Sequence, residues 1–230
     1  MPEPAKRAGS GGARPSRRVA ARQADARRRI LEAARIVVAE HGFAAAQVAV
    51  VASVADVATG SIYRHFPSKA SLFSEMLREV CRCELDVVRA VAAEEGRNAT
   101  ERIGDTVATF VDRALRGEGL AYAVIVEPMD PDVDQVRLEA RAGLAQAFTE
   151  LIEEGIGSGE FADQDARTRG AAIVGAFLEA VVAPLVERST QPPDRSALSV
   201  EVARFCQQAV AGAPLISTPD ACIRTIHGGN

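Results

Sequence analysis

Thr59, Ser61, Tyr63, Arg64 and His65 put five hydrogen-bonding side chains into one short stretch, and Lys69 adds a second fixed cation just beyond it. Groups of this kind suit a phosphate backbone and the edges of bases rather than bond-breaking chemistry, because they offer donors at helical spacing beside a permanent positive charge. Ile62 and Phe66 lie among them at i, i+4, and Val48, Val51 and Ala52 form an earlier apolar stripe, with Asp56 between the two. Helical periodicity on both sides of a short break predicts two helices joined by a tight turn, with the aliphatic residues inside and the polar ones out. Ala58, Thr59, Gly60 and Ser61 make the second helix small at its leading end. Glycine weakens a helix relative to alanine, so Gly60 implies that a Cβ there would obstruct something. Ser68 after Pro67 restarts a helix as its N-cap, and Lys69 in the first turn opposes the helix dipole, a placement that suits a phosphate. Plainer readings stand beside these: Tyr63 as a half-buried core residue with a wet hydroxyl, His65 as a surface histidine between two helices. The combined spacing with Arg64 and Lys69 favours the nucleic-acid reading.

The elements that must hold this face are predicted to be helices in a charge-divided chain. Residues 1–69 carry twelve Lys/Arg against five Asp/Glu, a net of +7, and the rest carries fifteen against twenty-six, a net of −11, so the whole chain is at −4. A small basic head on an acidic body is expected, not a protein that coats nucleic acid along its length. Residues 1–22 are rich in Gly, Pro, Ser and Arg without apolar periodicity and read as a disordered arm. Its Arg14, Arg17, Arg18 and Arg22 would either track phosphates or remain a solvated tail.

The segments Arg29-Ile30-Leu31-Glu32-Ala33-Ala34, Glu40-His41-Gly42-Phe43 and Gly60-Ser61-Ile62-Tyr63-Arg64-His65-Phe66-Pro67-Ser68-Lys69 resemble the DNA-binding domain of the TetR family of bacterial transcriptional regulators. The resemblance covers about forty residues and implies DNA contacts at Thr59, Ser61, Tyr63, His65 and Lys69. With Gln47, Ala58, Gly60 and Arg64 these make up the candidate DNA-reading set. The chain departs from the family pattern at Gln47, where a capping threonine is usual, at Ala49 and Val50, where basic or polar residues are frequent, and at Ala58 and Thr59, where serine and lysine are common. Weaker phosphate anchoring and an unusual sequence preference are expected. Asp56 replaces the usual turn glycine, which asks it to adopt a left-handed backbone.

About 160 residues remain after the head, enough for one further core. Helical periodicity is predicted from Lys69 to Ala93, on the face Ile103, Val107, Phe110, Val111 and Ala114, from Ala121 to Glu127, from Asp130-Pro131 to Gly155, from near Asp163 to Val186, and from near Asp194 to Val210. The fold class is all-α, with domains at 23–69 (head) and 70–212 (body) and a tail at 213–230. The last two long helices look too apolar for a monomer. Ala172, Gly175, Ala176 and Ala180 on one, and Leu198, Val202, Phe205 and Ala209 on the other, are the candidate homodimer interface, as the resemblance also implies. The resemblance further implies a pocket for a small apolar effector, with Phe110, Tyr122, Val126, Met129, Phe148 and Phe177 as candidate lining residues and ordinary core packing as the alternative. The helix from Ser68 to Ala93 is the expected lever between pocket and head.

No cofactor is expected. Cys81, Cys83, Cys206 and Cys222 are few and scattered, and Cys81 and Cys83, two apart on one predicted helix, point away from each other and are not placed to chelate one metal. His41, His65 and His227 lie apart without a catalytic arrangement, so an enzyme is not expected. No run of about 20 apolar residues stands out, which argues against a membrane partner and for the cytoplasm. Two functions remain open: a ligand-responsive repressor on a double-stranded palindromic operator, and a DNA-associated structural or interaction protein without an effector.

Overall fold

The computed structural model describes residues 17–187 and 194–212. Over these the chain is all-helical: α1 (Arg17–Ala45), α2 (Val48–Val54), α3 (Thr59–His65), α4 (Lys69–Ala92), α5 (Ala99–Arg116), α6 (Glu118–Ile125), α7 (Pro131–Gly157), α8 (Ala166–Ala180), α9 (Val182–Val186) and α10 (Arg195–Ala211). Local chemistry sets most of these boundaries. Asn98 and Glu101 form a reciprocal capping box at the start of α5, and Asp130, Asp165 and Asp194 accept amide hydrogens at the starts of α7, α8 and α10. Ser68 caps α4 by accepting from the Ser71 amide at 3.0 Å. Glu160, from the turn after α7, closes the other two open amides of α5, those of Ala99 and Thr100, each at 2.8 Å.

Two hydrophobic cores result. The head core gathers Ile30, Val37 and Val38 of α1, Val51 of α2, Ile62 of α3 and Phe73 and Met76 of α4. It also takes Ala123 from α6 and Val133 and Val136 from α7, so the body seals the head. The body core is built from α5, α7, α8 and α10 around Ile103, Val107, Phe148, Ile152, Phe177 and Cys206.

Three sequence expectations change. The arm was expected to run to residue 22, but α1 begins at Arg17, so Arg22 sits exposed on a helix, while Arg14 and Cys222 lie outside the described residues. The helix expected from Asp163 to Val186 starts three residues later and is interrupted at Val181, giving α8 and α9. That same stretch, Ala166–Val186, is by length and composition apolar enough to cross a membrane, which the sequence reading had not seen. In the fold it contributes Ile173, Val174 and Phe177 to the body core.

Candidate DNA-reading face and effector cavity

The reading face is built on a turn that the rest of the head pins. Asp56 takes the left-handed conformation asked of it, at φ 53. Arg29 of α1 donates to the carbonyls of Ala55 and Asp56 at 2.5 and 3.3 Å, closing the C-terminal end of α2 and fixing the angle between α2 and α3. Arg27 lies over the Phe66 ring at 4.9 Å and pairs with Glu75 of α4, which holds the far end of α3 against α1. With Ile62 and Phe66 buried, α3 has one orientation, and its other face is free.

On that free face Thr59, Gly60, Tyr63 and Arg64 are exposed, and Ser61 and His65 are half-buried. Tyr63 is 51% exposed, so its ring is not a core residue. Arg64 donates to the Ser61 hydroxyl at 2.7 Å. Lys69 is exposed, with its ammonium 5.7 Å from the Phe73 ring. A Cβ built on Gly60 would meet nothing within 4 Å. Among the described residues no neighbour requires glycine there. Gln47 and Ala58 are exposed at the N-caps of α2 and α3, and neither makes a side-chain cap. Val50 and Val54, 38% and 47% exposed one turn apart, make this surface apolar, at Val50 where a basic or polar residue was the family expectation.

In the body, a cavity of about 140 Å³ opens between α4, α5, α6 and α7, with Leu178 of α8 at its back. Of the six expected lining residues only Phe110 is on its wall. Phe148 and Phe177 are wholly buried in the body core, where Phe177 packs on Phe110 at 4.5 Å and on Phe148 at 5.7 Å. Tyr122 leans on that same core, Met129 packs on the head core, and Val126 caps α6. The walls are instead Ala114, Leu120, Ala121, Val124, Ile125 and Leu144, with Glu84, Arg113, Arg137 and Arg141 supplying charge. Arg113 grips Glu84 through two hydrogen bonds of 2.9 and 2.6 Å, and that carboxylate holds its guanidinium above the usual arginine range. Arg137 pairs with Asp134. Arg141 has no ion-pair partner among the described residues. It lies where the cavity meets a second opening of about 420 Å³ along α7 and α8, which shares Ile125, Arg141 and Leu178 with the first.

Cys81 also lines the cavity, and burial, then the nearby Glu84 charge, pushes its thiol up to about 11. Such a thiol is thiolate in only roughly one part in several thousand at pH 7.5. Iodoacetamide at that pH is therefore expected to modify exposed Cys83 more than about tenfold faster than Cys81. Peptide mapping checks this, and equal rates would mean that the cavity wall is open to solvent.

The interface candidates divide. Ala172 and Gly175 of α8 are exposed, and so is Phe205 of α10, at 61%. Val202 is instead buried in the body core and Leu198 packs against that core, because α10 turns this side toward α5, and Ala176 and Ala180 of α8 pack against the same core. Ala209 is half-buried, and its carbonyl accepts from Arg169. Val186 and Val200, 52% and 48% exposed, extend the open apolar surface and were not singled out from sequence.

A three-helix head with an open polar helix is carried on a helical body that holds an apolar cavity, the arrangement of a helix-turn-helix domain joined to a second helical domain. Residues 30–76 match the family described as bacterial regulatory proteins, tetR family. The HTH-type transcriptional repressor KstR of Mycobacterium tuberculosis is 34% identical over 122 residues, half of this chain and 54% of that protein. The chain spans about half the length of the curated relatives it matches. Among solved structures, the transcriptional regulator FadR from Bacillus subtilis in complex with stearoyl-CoA superposes with a TM-score of 0.70 at 24% identity, over 80% of this chain and 98% of that one. A transcriptional regulator from Saccharomonospora viridis in complex with choline gives 0.68 at 23% identity, over 81% and 98%. The family match thus falls on the head, the part that carries α2 and α3.

Proposed function

We propose that this protein is a ligand-responsive transcriptional repressor of the cytoplasm that binds a palindromic operator as a homodimer and is released by an effector in the body cavity. The observation that carries the reading is the free face of α3. Donors at Thr59, Ser61, Tyr63 and His65 flank Gly60, whose missing Cβ has no neighbour inside the chain, so the small residue is best explained by an external surface that approaches closely. Double-stranded DNA fits both the donors and the +7 charge of residues 1–69. The test is affinity for the DNA flanking the protein's own gene against bulk DNA at one salt concentration. Selective binding of at least about a thousandfold supports a regulator. Equal affinity for both supports the architectural alternative.

Dimerisation is proposed through the exposed side of α8 and α10, with Ala172 and Gly175 permitting close helix approach and Phe205 as the anchor. Burying a phenylalanine contributes about 1.5–3 kcal/mol, and two-fold symmetry counts it twice. Phe205→Glu is therefore expected to raise the dimer dissociation constant at least about a hundredfold, read by sedimentation. A dimer of unchanged affinity would place the interface elsewhere.

The effector is proposed to be apolar along most of its length with an anionic end. The cavity of about 140 Å³ is close to that of a site for one small ring, so a longer molecule would extend past Arg141 into the adjoining opening. The unpaired Arg141 would then meet its charge. The acyl-CoA bound by the FadR structure has this chemical outline and is a reasonable first probe.

A further inference from the structure

α4 is the covalent link from cavity to head and the expected lever between them. The structure contains a second path, through α6, and it ends on one hydrogen bond. Gly42 near the end of α1 sits at φ 72 and ψ 171, a conformation essentially closed to other residues. The kink turns the Phe43 amide out of the helix ladder, and the Glu127 carboxylate, from the turn that follows α6, accepts it at 2.7 Å. In an unbroken helix that amide would pair with the carbonyl of Ala39. The Ala39 carbonyl faces Gly119 of α6, where a Cβ would overlap it. The body thus meets both halves of the opened α1 hydrogen bond: Glu127 after α6 accepts the freed amide, and Gly119 at the start of α6 packs against the carbonyl.

The opposite side of α6 is the cavity wall. Leu120, Ala121, Val124 and Ile125 line the cavity. Arg137, also on the wall, donates to the backbone carbonyl of Glu127 at 3.1 Å. On the head side, the Phe43 ring meets Phe73 edge-on at 6.0 Å, in the first turns of the helix that Lys69 begins. A molecule in the cavity has α6 and Arg137 among its walls, and both lead directly to the residue that holds Phe43.

We propose that the Glu127–Phe43 hydrogen bond is a latch that reports occupancy of the cavity to the reading head, released when α6 is displaced. This rests on reading the cavity as the effector site. A ligand can shift the head only through interactions that differ between two body states, and the latch is such an interaction, made or broken as a unit. Glu127 acts here as a positioning residue.

The test uses the full chain and needs no knowledge of the effector. Ala140→Phe fills the cavity from α7, opposite α6, and stands in for a bound ligand. Amide exchange is measured on the peptide spanning 40–46. Glu127→Ala is expected to speed exchange of the Phe43 amide about tenfold or more, while Glu127→Gln, which keeps an acceptor, retains most of the protection. Ala140→Phe is expected to speed it in the parent chain and in Glu127→Gln, with no further increase in Glu127→Ala. The proposal is overturned if Ala140→Phe leaves the parent rate unchanged, or if it adds the same factor in the Glu127→Ala background. Should a melt show that Ala140→Phe is unfolded, Ala114→Leu fills the cavity from α5 with the same expectations. Affinity for the flanking DNA is measured on the same proteins. A parent chain without selective DNA binding removes the repressor reading, while the exchange pattern still decides the latch.

Discussion

With Tyr63 and Lys69 both replaced by alanine, affinity for the DNA flanking the gene should fall about a hundredfold while the melting temperature stays within about 2 °C of the parent. Both halves of that expectation come from exposure. Tyr63 is 51% exposed, and the recorded neighbour of the Lys69 ammonium is one ring 5.7 Å away, so neither side chain contributes much to folding. Against a duplex each would make a contact worth about 1–3 kcal/mol, and the one from lysine to phosphate is charge-assisted. The single variants separate their roles. Lys69→Ala should weaken all sequences alike and reduce the slope of log affinity against log salt by about 1, whereas Tyr63→Ala should not change that slope. Gly60→Ala adds a sharper contrast, since a Cβ there meets nothing in the chain. It should leave the fold intact or slightly firmer and still weaken DNA binding. Parallel losses of stability and affinity would mean that the face packs inward.

Gly42→Ala should be strongly damaging for a change of one methyl group, lowering stability by about 2–6 kcal/mol and the melting temperature by roughly 4–24 °C. Two costs combine. An alanine at φ 72, ψ 171 is strained by about 1–3 kcal/mol. Its Cβ would also overlap the Glu127 carboxylate, forcing that group off the Phe43 amide and leaving a part-buried donor open, a further cost of about 1–3 kcal/mol. The two costs are separated by placing Gly42→Ala in a Glu127→Ala background, where the carboxylate is gone and only the backbone cost remains. Thermal melts in which Gly42→Ala costs the same in the parent and in that background would mean that the carboxylate at Gly42 adds nothing.

The parts of this molecule legible from sequence are those governed by local rules. Asp130-Pro131 announced the start of α7, and Ser68 that of α4, because a cap and its fixed backbone are short-range chemistry. The reading helix was legible because Ile62 and Phe66 leave only one side of α3 to the polar residues. The cavity was not. Aromatic residues drew attention to Phe148 and Phe177, which large side chains earn by filling a core, whereas a cavity is lined where side chains are too small to meet, as at Ala114, Ala121 and Ala140. The same reason misplaced Val202: periodicity showed that α10 has an apolar face, but only the packing of α10 on α5 reveals which side the body uses. Glu127 carried no signal at all. Its role depends on an amide 84 positions earlier in the chain, and no spacing rule spans that distance.

The central claim is that the face of α3 bearing Thr59, Tyr63 and His65 lies against a duplex, and photo-cross-linking tests it most directly. Benzoylphenylalanine in place of Tyr63 keeps an aromatic ring at an exposed position, and the same group at Phe205 marks the proposed dimer surface. After irradiation with the flanking DNA, position 63 should capture DNA and position 205 should capture a second protein chain. DNA capture at 205 with none at 63, in a preparation that still binds the fragment, would contradict the account.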